Sequence, residues 1–307
     1  MSDVRMRMRV GRVAAAVVVV AAVVSGCGGP GQAGTAVVVG GQAVPLERVQ
    51  SQLDAALSMH DQAELAARQV TPARLARDIV TREVMHGLLA RRAAEEGISV
   101  AEPQIDAQLA LLAQPDPNGR LGVEDFLQGQ ELRDWARDQV IAAQLGQRLV
   151  PGLQVTVDLV AATSREDAQA KSEVLARGGP EADALTANPQ TGRSGLTVQA
   201  AASPGDAASP AFWVPTGSVV AYQADPRQNG WLILRVTDRR TDAPTDPAAL
   251  SSLSQAEFVA IGLRSLQQTI DEVGVEINPR YGVMDPIQLR VVGEDEQAGM
   301  ILPPAAA

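Results

Sequence analysis

Cys27 is the only cysteine in 307 residues, so it is the only side chain here that could offer thiolate chemistry. Its surroundings indicate what that chemistry serves. Arg5, Arg7, Arg9 and Arg12 make a cationic start, Val13–Val24 contains only Val and Ala, and Ser25-Gly26 brings small residues up to Cys27. A basic region, a short apolar run and small residues before a cut site describe an export signal peptide. The apolar run has 12 residues, whereas a spanning helix needs about 20. Residues 1–26 are therefore expected to be removed rather than kept as an anchor. A lone thiol also excludes an internal disulfide, although export would permit one.

Val24-Ser25-Gly26-Cys27 resembles the lipobox of bacterial lipoproteins, with an aliphatic residue, two small residues and cysteine in order. In that family the cysteine takes a diacylglyceryl group and becomes the new N-terminus. The resemblance implies lipidation of Cys27, with Val24, Ser25 and Gly26 read by the signal peptidase. Acyl chains such as palmitate would then hold the protein on the outer face of the cell membrane. Each buried CH₂ contributes about 0.8 kcal/mol and stable anchoring takes about two chains, which a diacyl group supplies. The chain has 25 Arg against a single lysine, Lys171. That bias fits a GC-rich genome and, with the lipobox, points to an actinobacterium.

Other reactive groups are few. His60 and His86 are the only histidines, and neither has partners at metal-ligand spacing. Glu95-Glu96, Asp271-Glu272 and Glu294-Asp295-Glu296 read as solvated charge, since none adjoins a motif. Gly28-Gly29 and Gly40-Gly41 lack the Lys-Ser/Thr of a phosphate loop, and Gly192-Arg193-Ser194-Gly195 is one residue short of a nucleophile elbow. No cofactor or metal is expected. The formal charge of −10 becomes −13 once residues 1–26, with four Arg and one Asp, are removed. So acidic a chain argues against nucleic acid and against electrostatic docking on anionic lipid.

The elements that would position any site change character along the chain. Gly28–Thr35 is a small, Gly-rich tether. Ala36–Val44 reads as two short strands around Gly40-Gly41. Pro45 opens a helix carrying Leu46, Val49, Leu53 and Leu57. Thr71 and Pro72 start a long helix that Gly97 ends. A helix with Ile105, Leu109 and Leu112 precedes the breaker cluster Pro115–Gly119. Val123–Gln128 and Glu131–Leu149 follow as helices. After Pro151 the pattern turns β-branched: Gln154–Ala161 reads as a strand, Ser164–Ala176 as a helix capped by Ser164. Gly178–Pro210, rich in Gly, Pro, Ser and Ala, reads as irregular loops or very short elements. Ser218–Tyr222 and Trp231–Thr237 read as paired strands, and one long helix is predicted over 247–273. Its apolar stripe, Val259, Leu263, Leu266, Ile270 and Val273, must pack back on the N-terminal helices. Residues 293–307 look like a loose tail.

This layout resembles the SurA-like and PrsA-like bacterial foldases. Val37–Val44 followed by Pro45-Leu46-Glu47-Arg48-Val49 is similar to that family's strand pair and first helix. Pro215–Val220 and Gly230–Arg240 look like the last two strands of a parvulin domain. Ile277-Asn278-Pro279-Arg280-Tyr281-Gly282 is similar to the C-terminal motif of actinobacterial SurA-like lipoproteins. Parvulin active sites carry a histidine in the first strand and another in the last. Here those places fall at Val157 and Leu232, and no histidine lies in the candidate isomerase domain. Phe212-Trp213 stands in for part of the glycine-and-phenylalanine pattern between the strands.

The resemblance implies an α+β protein: a mainly helical, discontinuous chaperone domain (36–151 plus 246–292) with an inserted small parvulin-like domain (152–241). It implies a chaperone that binds unfolded or newly exported polypeptides in an apolar helical groove, without isomerase activity and with no catalytic residue. The alternatives are an active prolyl isomerase with atypical residues, and an envelope scaffold or solute-binding lipoprotein. Clients and oligomeric state are not legible in the sequence.

Overall fold

The computed structural model describes residues 34–113, 123–223 and 229–305. The chain enters through Thr35–Val39 (β1) and Gln42–Pro45 (β2), a hairpin turned by Gly40 and Gly41 with φ of 55° and 82°, values that favour glycine. Helices Leu46–Ser58 (α1), Gln62–Ala67 (α2), Pro72–Glu95 (α3) and Glu102–Leu112 (α4) follow, then a 3-10 turn at Val123–Phe126 and Gly129–Leu149 (α5). The signals that start α3 act as expected: the Thr71 hydroxyl accepts from the Arg74 N–H and Pro72 sits in the first turn.

The middle of the chain supplies Gln154–Ala162 (β3), Arg165–Arg177 (α6), Pro180–Ala187 (α7), Gly192–Gln199 (β4), Pro204–Ala207 (α8), a 3-10 turn at Pro210–Phe212, Val219–Tyr222 (β5) and Trp231–Arg240 (β6). Pro247–Ser252 (α9), Gln255–Arg264 (α10) and Leu266–Val273 (α11) come next. Short strands Val275–Ile277 (β7), Val283–Asp285 (β8), Arg290–Val292 (β9) and Gly299–Leu302 (β10) end the chain.

Two bodies of structure result. In the first, α3 runs through the core with Leu75, Ile79, Val80, Val84, Leu88 and Leu89 buried. They pack against Val49 of α1, Ile141 and Leu145 of α5, Leu266 of α11 and Val37 of β1. β7 pairs with the free side of β1, Val38 opposite Glu276, so the start and the end of the chain share one small sheet. The C-terminal helix thus returns to the N-terminal helices. The second body is the inserted antiparallel sheet, in strand order β10-β5-β6-β3-β4. Alternate residues of its strands face opposite sides. Val160, Ile233 and Trp231 pack under α6 and α7. Val155, Val157 and Val236 pack on Phe212 and Trp213, with Ile261 of α10 in the same cluster.

Three expectations need correction. The helix predicted over 247–273 is broken: Leu253 is extended, and Ser254 with Glu257 forms a capping box that restarts the helix as α10. At Ser265 the side chain bonds back to the Gly262 carbonyl and separates α10 from α11. Residues 178–210 hold a full strand, β4, whose composition predicts none. Its register comes from β3, Val155 opposite Val198, and pairing overrides a weak propensity. Residues 293–305 are not a loose tail. Ile301 pairs with Val220 and Met300 with Ala221, so β10 closes one edge of the inserted sheet.

What aims β10 is a buried polar knot. Asp285, 0% exposed, accepts from the N–H groups of Ile287 (2.7 Å) and Ala298 (2.8 Å). Arg264 of α10 donates to the carbonyls of Ile287 (2.9 Å) and Pro286 (2.8 Å). Burial pushes the Arg264 guanidinium down to about 10; it remains charged at neutral pH, with two of its donors on backbone carbonyls, one on the Gln267 side chain at 3.4 Å, and Nε buried without a partner among the described residues.

α5 and α10 touch backbone to backbone. A Cβ on Gly262 would overlap the Ala142 carbonyl oxygen, and one on Gly146 would overlap that of Phe258. Gly262→Ala and Gly146→Ala are each expected to cost about 1–3 kcal/mol of stability through overpacking. The double variant should cost less than the sum, because both act on one crossing. Urea unfolding of the three variants checks this; unchanged midpoints would show that the helices can part freely.

Candidate functional site

Cys27, Val24, Ser25 and Gly26 lie outside the described residues. Val157 and Leu232 lie inside them and are not brought together. Val157 opposes Val236, and Leu232 opposes Ala161. They share one face of the sheet but stand four positions apart along it, about 13 Å at the strand rise. The Val157 part of that face is packed solid. Phe212 is 1% and Trp213 0% exposed, and the Trp213 indole N–H donates to the Ala207 carbonyl at 2.7 Å. The Arg239 guanidinium lies 5.5 Å from the Trp213 ring centroid, a cation–π contact. The arrangement around Val157 is apolar packing.

The two histidines serve separate elements. His60 reaches the Asp125 carbonyl (3.2 Å) and packs on Phe126 at 4.8 Å between centroids, fastening the 3-10 turn. His86 of α3 places Nδ1 2.9 Å and 3.1 Å from the two oxygens of Asp138 on α5. Among the described residues no group of three or more His, Cys, Asp or Glu could hold a metal. The acidic pairs are tied to neighbours: Glu95 to Arg91, Glu96 to Arg92, Asp271 to Gln267 and Glu296 to Arg77.

The feature with binding character is a groove of about 330 Å³ where α3, α5, α10 and β9 meet. Met85, Leu89, Trp135 and Leu263 give it an apolar lining; Arg74, Asp78, Arg82, Asp138, Gln139 and Arg290 add charge and hydrogen-bonding capacity. Arg74, Asp78, Arg82, Met85 and Leu89 recur at spacings of four, four, three and four, a single stripe of α3 that turns from charged to apolar. Trp135 with Asp138 and Gln139 is the facing stripe on α5. Trp135 is half-buried, and methionine is the side chain that best adapts to varied partners. A larger cleft of about 490 Å³ lies between α1 and α3, but Val49, Leu53, Pro72 and Ala76 give it a smaller and less adaptable apolar lining beside Tyr281. Both stripes of the 330 Å³ groove are visible in the sequence, but that α10 and β9 complete it is not.

Residues 1–150, just under half of the chain, match the family model described as the SurA-like N-terminal domain. No curated protein matches the chain. The matched stretch ends with α5, so it includes the α3 and α5 walls of the groove but not the α10 wall.

Asp138 lines the groove and is hydrogen-bonded to His86. The hydrogen bond to Asp138 holds the His86 imidazolium above the ordinary histidine range, with Glu83 and Asp134 acting the same way and burial opposing them. Burial pushes Asp138 up, against the pull of His86 and Arg82. The folded state thus holds the imidazolium proton more tightly than the unfolded chain. This stabilisation is complete below about pH 6.5 and is lost as pH rises through the folded value. Urea midpoints measured at about pH 6 and about pH 8 should fall with pH, and His86→Gln should flatten the slope. An unaltered slope would remove His86 as its source.

Proposed function

We propose that this protein is an extracytoplasmic chaperone, anchored by lipid on Cys27, that shields apolar segments of unfolded exported polypeptides in the α3/α5/α10 groove. The observation that carries the reading is the groove itself: Trp135, Met85, Leu89 and Leu263 line an open trough between helices that belong to opposite ends of the chain. The match of residues 1–150 to the SurA-like N-terminal domain supports it, as does the export leader ahead of Cys27. Burying one client side chain contributes about 1.5–3 kcal/mol. One or two such contacts correspond to dissociation constants from roughly 0.1 M to the tens of micromolar, weak enough for release.

The inserted sheet is read as a parvulin-like domain that has lost catalysis. Rotation about an amide has a barrier of about 18–20 kcal/mol, and lowering it calls for placed polar groups around the twisted bond. Val157 and Leu232 supply none, and Phe212 and Trp213 occupy part of the same face.

At stoichiometric amounts the purified chain should suppress light scattering by an aggregating client and leave X-Pro isomerisation at its uncatalysed rate. Trp135→Ala should weaken the suppression several-fold without lowering the melting temperature by more than a few degrees. No suppression by the unmodified chain sinks the chaperone reading; accelerated isomerisation sinks the non-catalytic one. Separately, Cys27→Ser should shift the protein from the membrane pellet to the soluble or precursor fraction. Unchanged pelleting with no acyl group detected on the unmodified chain would show that another segment holds it.

A further inference from the structure

The α3/α5/α10 groove carries more cationic groups than its carboxylates neutralise. Arg82, 9% exposed, bonds Glu83 at 3.0 Å. Asp138 is taken by His86. That leaves Arg74 and Arg290 facing one carboxylate, Asp78, and Arg74 reaches it only at 4.0 Å. The Arg290 guanidinium makes no hydrogen bond or ion pair with any described residue, and its Nε is buried without a partner. It feels Asp78 only through space. A guanidinium offers five donors in a planar fork that matches a carboxylate. Here that fork stands beside Trp135, Met85 and Leu263 on an otherwise acidic chain of net charge −10. Repulsion from distant acidic groups is screened within about 8–10 Å at moderate salt, so the local surplus governs contact.

We infer that this groove recognises an apolar side chain with a carboxylate next to it in a polypeptide, and that Arg290 is the residue that sets the preference. The carboxylate is that of an Asp or Glu side chain within the segment, since the groove is open along its length and shows nothing among the described residues that would seat a chain end. The inference rests on the groove taking polypeptide, as proposed above, and names which segments it prefers: apolar residues bordered by acid.

The test is fluorescence anisotropy of dye-labelled peptides on the whole chain. Three internal peptides, amidated at the C-terminus, carry Phe-Glu, Phe-Gln or Phe-Lys at their centre. Two more end in Phe, one with a free carboxylate and one amidated. Phe-Glu should bind roughly fivefold more tightly than Phe-Gln, as expected of a partly exposed ion pair, and Phe-Lys more weakly than either. The preference should shrink in about 1 M salt. Arg290→Gln should bind Phe-Glu and Phe-Gln equally. A gain for Phe-Glu over Phe-Gln supports the inference; a gain confined to the free terminus overturns it. Equal binding of the acid peptides and their neutral partners by the unmodified chain overturns the inference, as does a preference that survives in Arg290→Gln. Should that variant fail to fold, a preference undiminished by salt overturns it instead. Binding of neutral Phe-Gln without any acid preference leaves the chaperone reading standing and removes only this inference; no binding of any peptide removes both.

Discussion

The structure depends on one close approach, the crossing of α5 and α10 at Gly146 and Gly262. Neither position has room for a methyl group, because each faces a carbonyl of the opposite helix. Helices that meet backbone to backbone gain dense packing and leave little freedom in how they are arranged. The crossing ties the last helix of the N-terminal half to a helix that arrives only after the inserted sheet. It brings Leu263 over the stripes of α3 and α5, so the groove exists as a consequence of the crossing. Two residues before Leu263, Ile261 belongs to the cluster that packs on the sheet, so α10 also seats the inserted body.

Closure of the chain on itself reinforces the same arrangement. β7 completes the hairpin sheet. Asn278 grips β1 twice, donating its backbone N–H to Ala36 and its amide to Thr35. Arg264 and Asp285 then steer the final residues across to the sheet as β10. Burying a charged arginine is expensive unless its donors are met; here the carbonyls of Pro286 and Ile287 and the Gln267 side chain take three of them, and Asp285 holds Ala298, which together fix the path of residues 286–298. The chain therefore passes between its two bodies at three places: into the sheet after α5, out of it before α9, and back to it through β10.

For function, the consequence is a division between a packed body and an open one. The sheet face that would hold an isomerase site is occupied by Phe212, Trp213 and residues of α10. The groove between the helices has instead an aromatic side chain, a flexible methionine and a guanidinium without a hydrogen-bond or ion-pair partner among the described residues. Packed aromatics hold a fold together, whereas half-buried ones beside unneutralised charge are suited to transient partners.

Much of the helical half was determined by the sequence alone, because its signals are local. Thr71-Pro72 starts α3, Gly97 ends it, Gly40-Gly41 turns the hairpin, and the stripe through Val259 and Leu263 demands a partner surface. The paired strands at 219–222 and 231–240 were legible for the same reason, in their β-branched alternation. The basic start, the short apolar run and the lone Cys27 from which an export leader is expected are likewise local patterns. Only the tertiary structure decided that β4 and β10 are strands, since their pairing energy comes from β3 and β5. It alone decided that Asp285 and Arg264 form a knot, and that Val157 and Leu232 stand about four residues apart along the sheet. The groove lies between these cases. Its α3 and α5 stripes are written as helical spacings, but Arg290 joins them from over 140 residues beyond α5. Periodicity reports which face of an element is apolar; what covers that face, and which charge is left without a partner beside it, depends on long-range packing that no local pattern encodes.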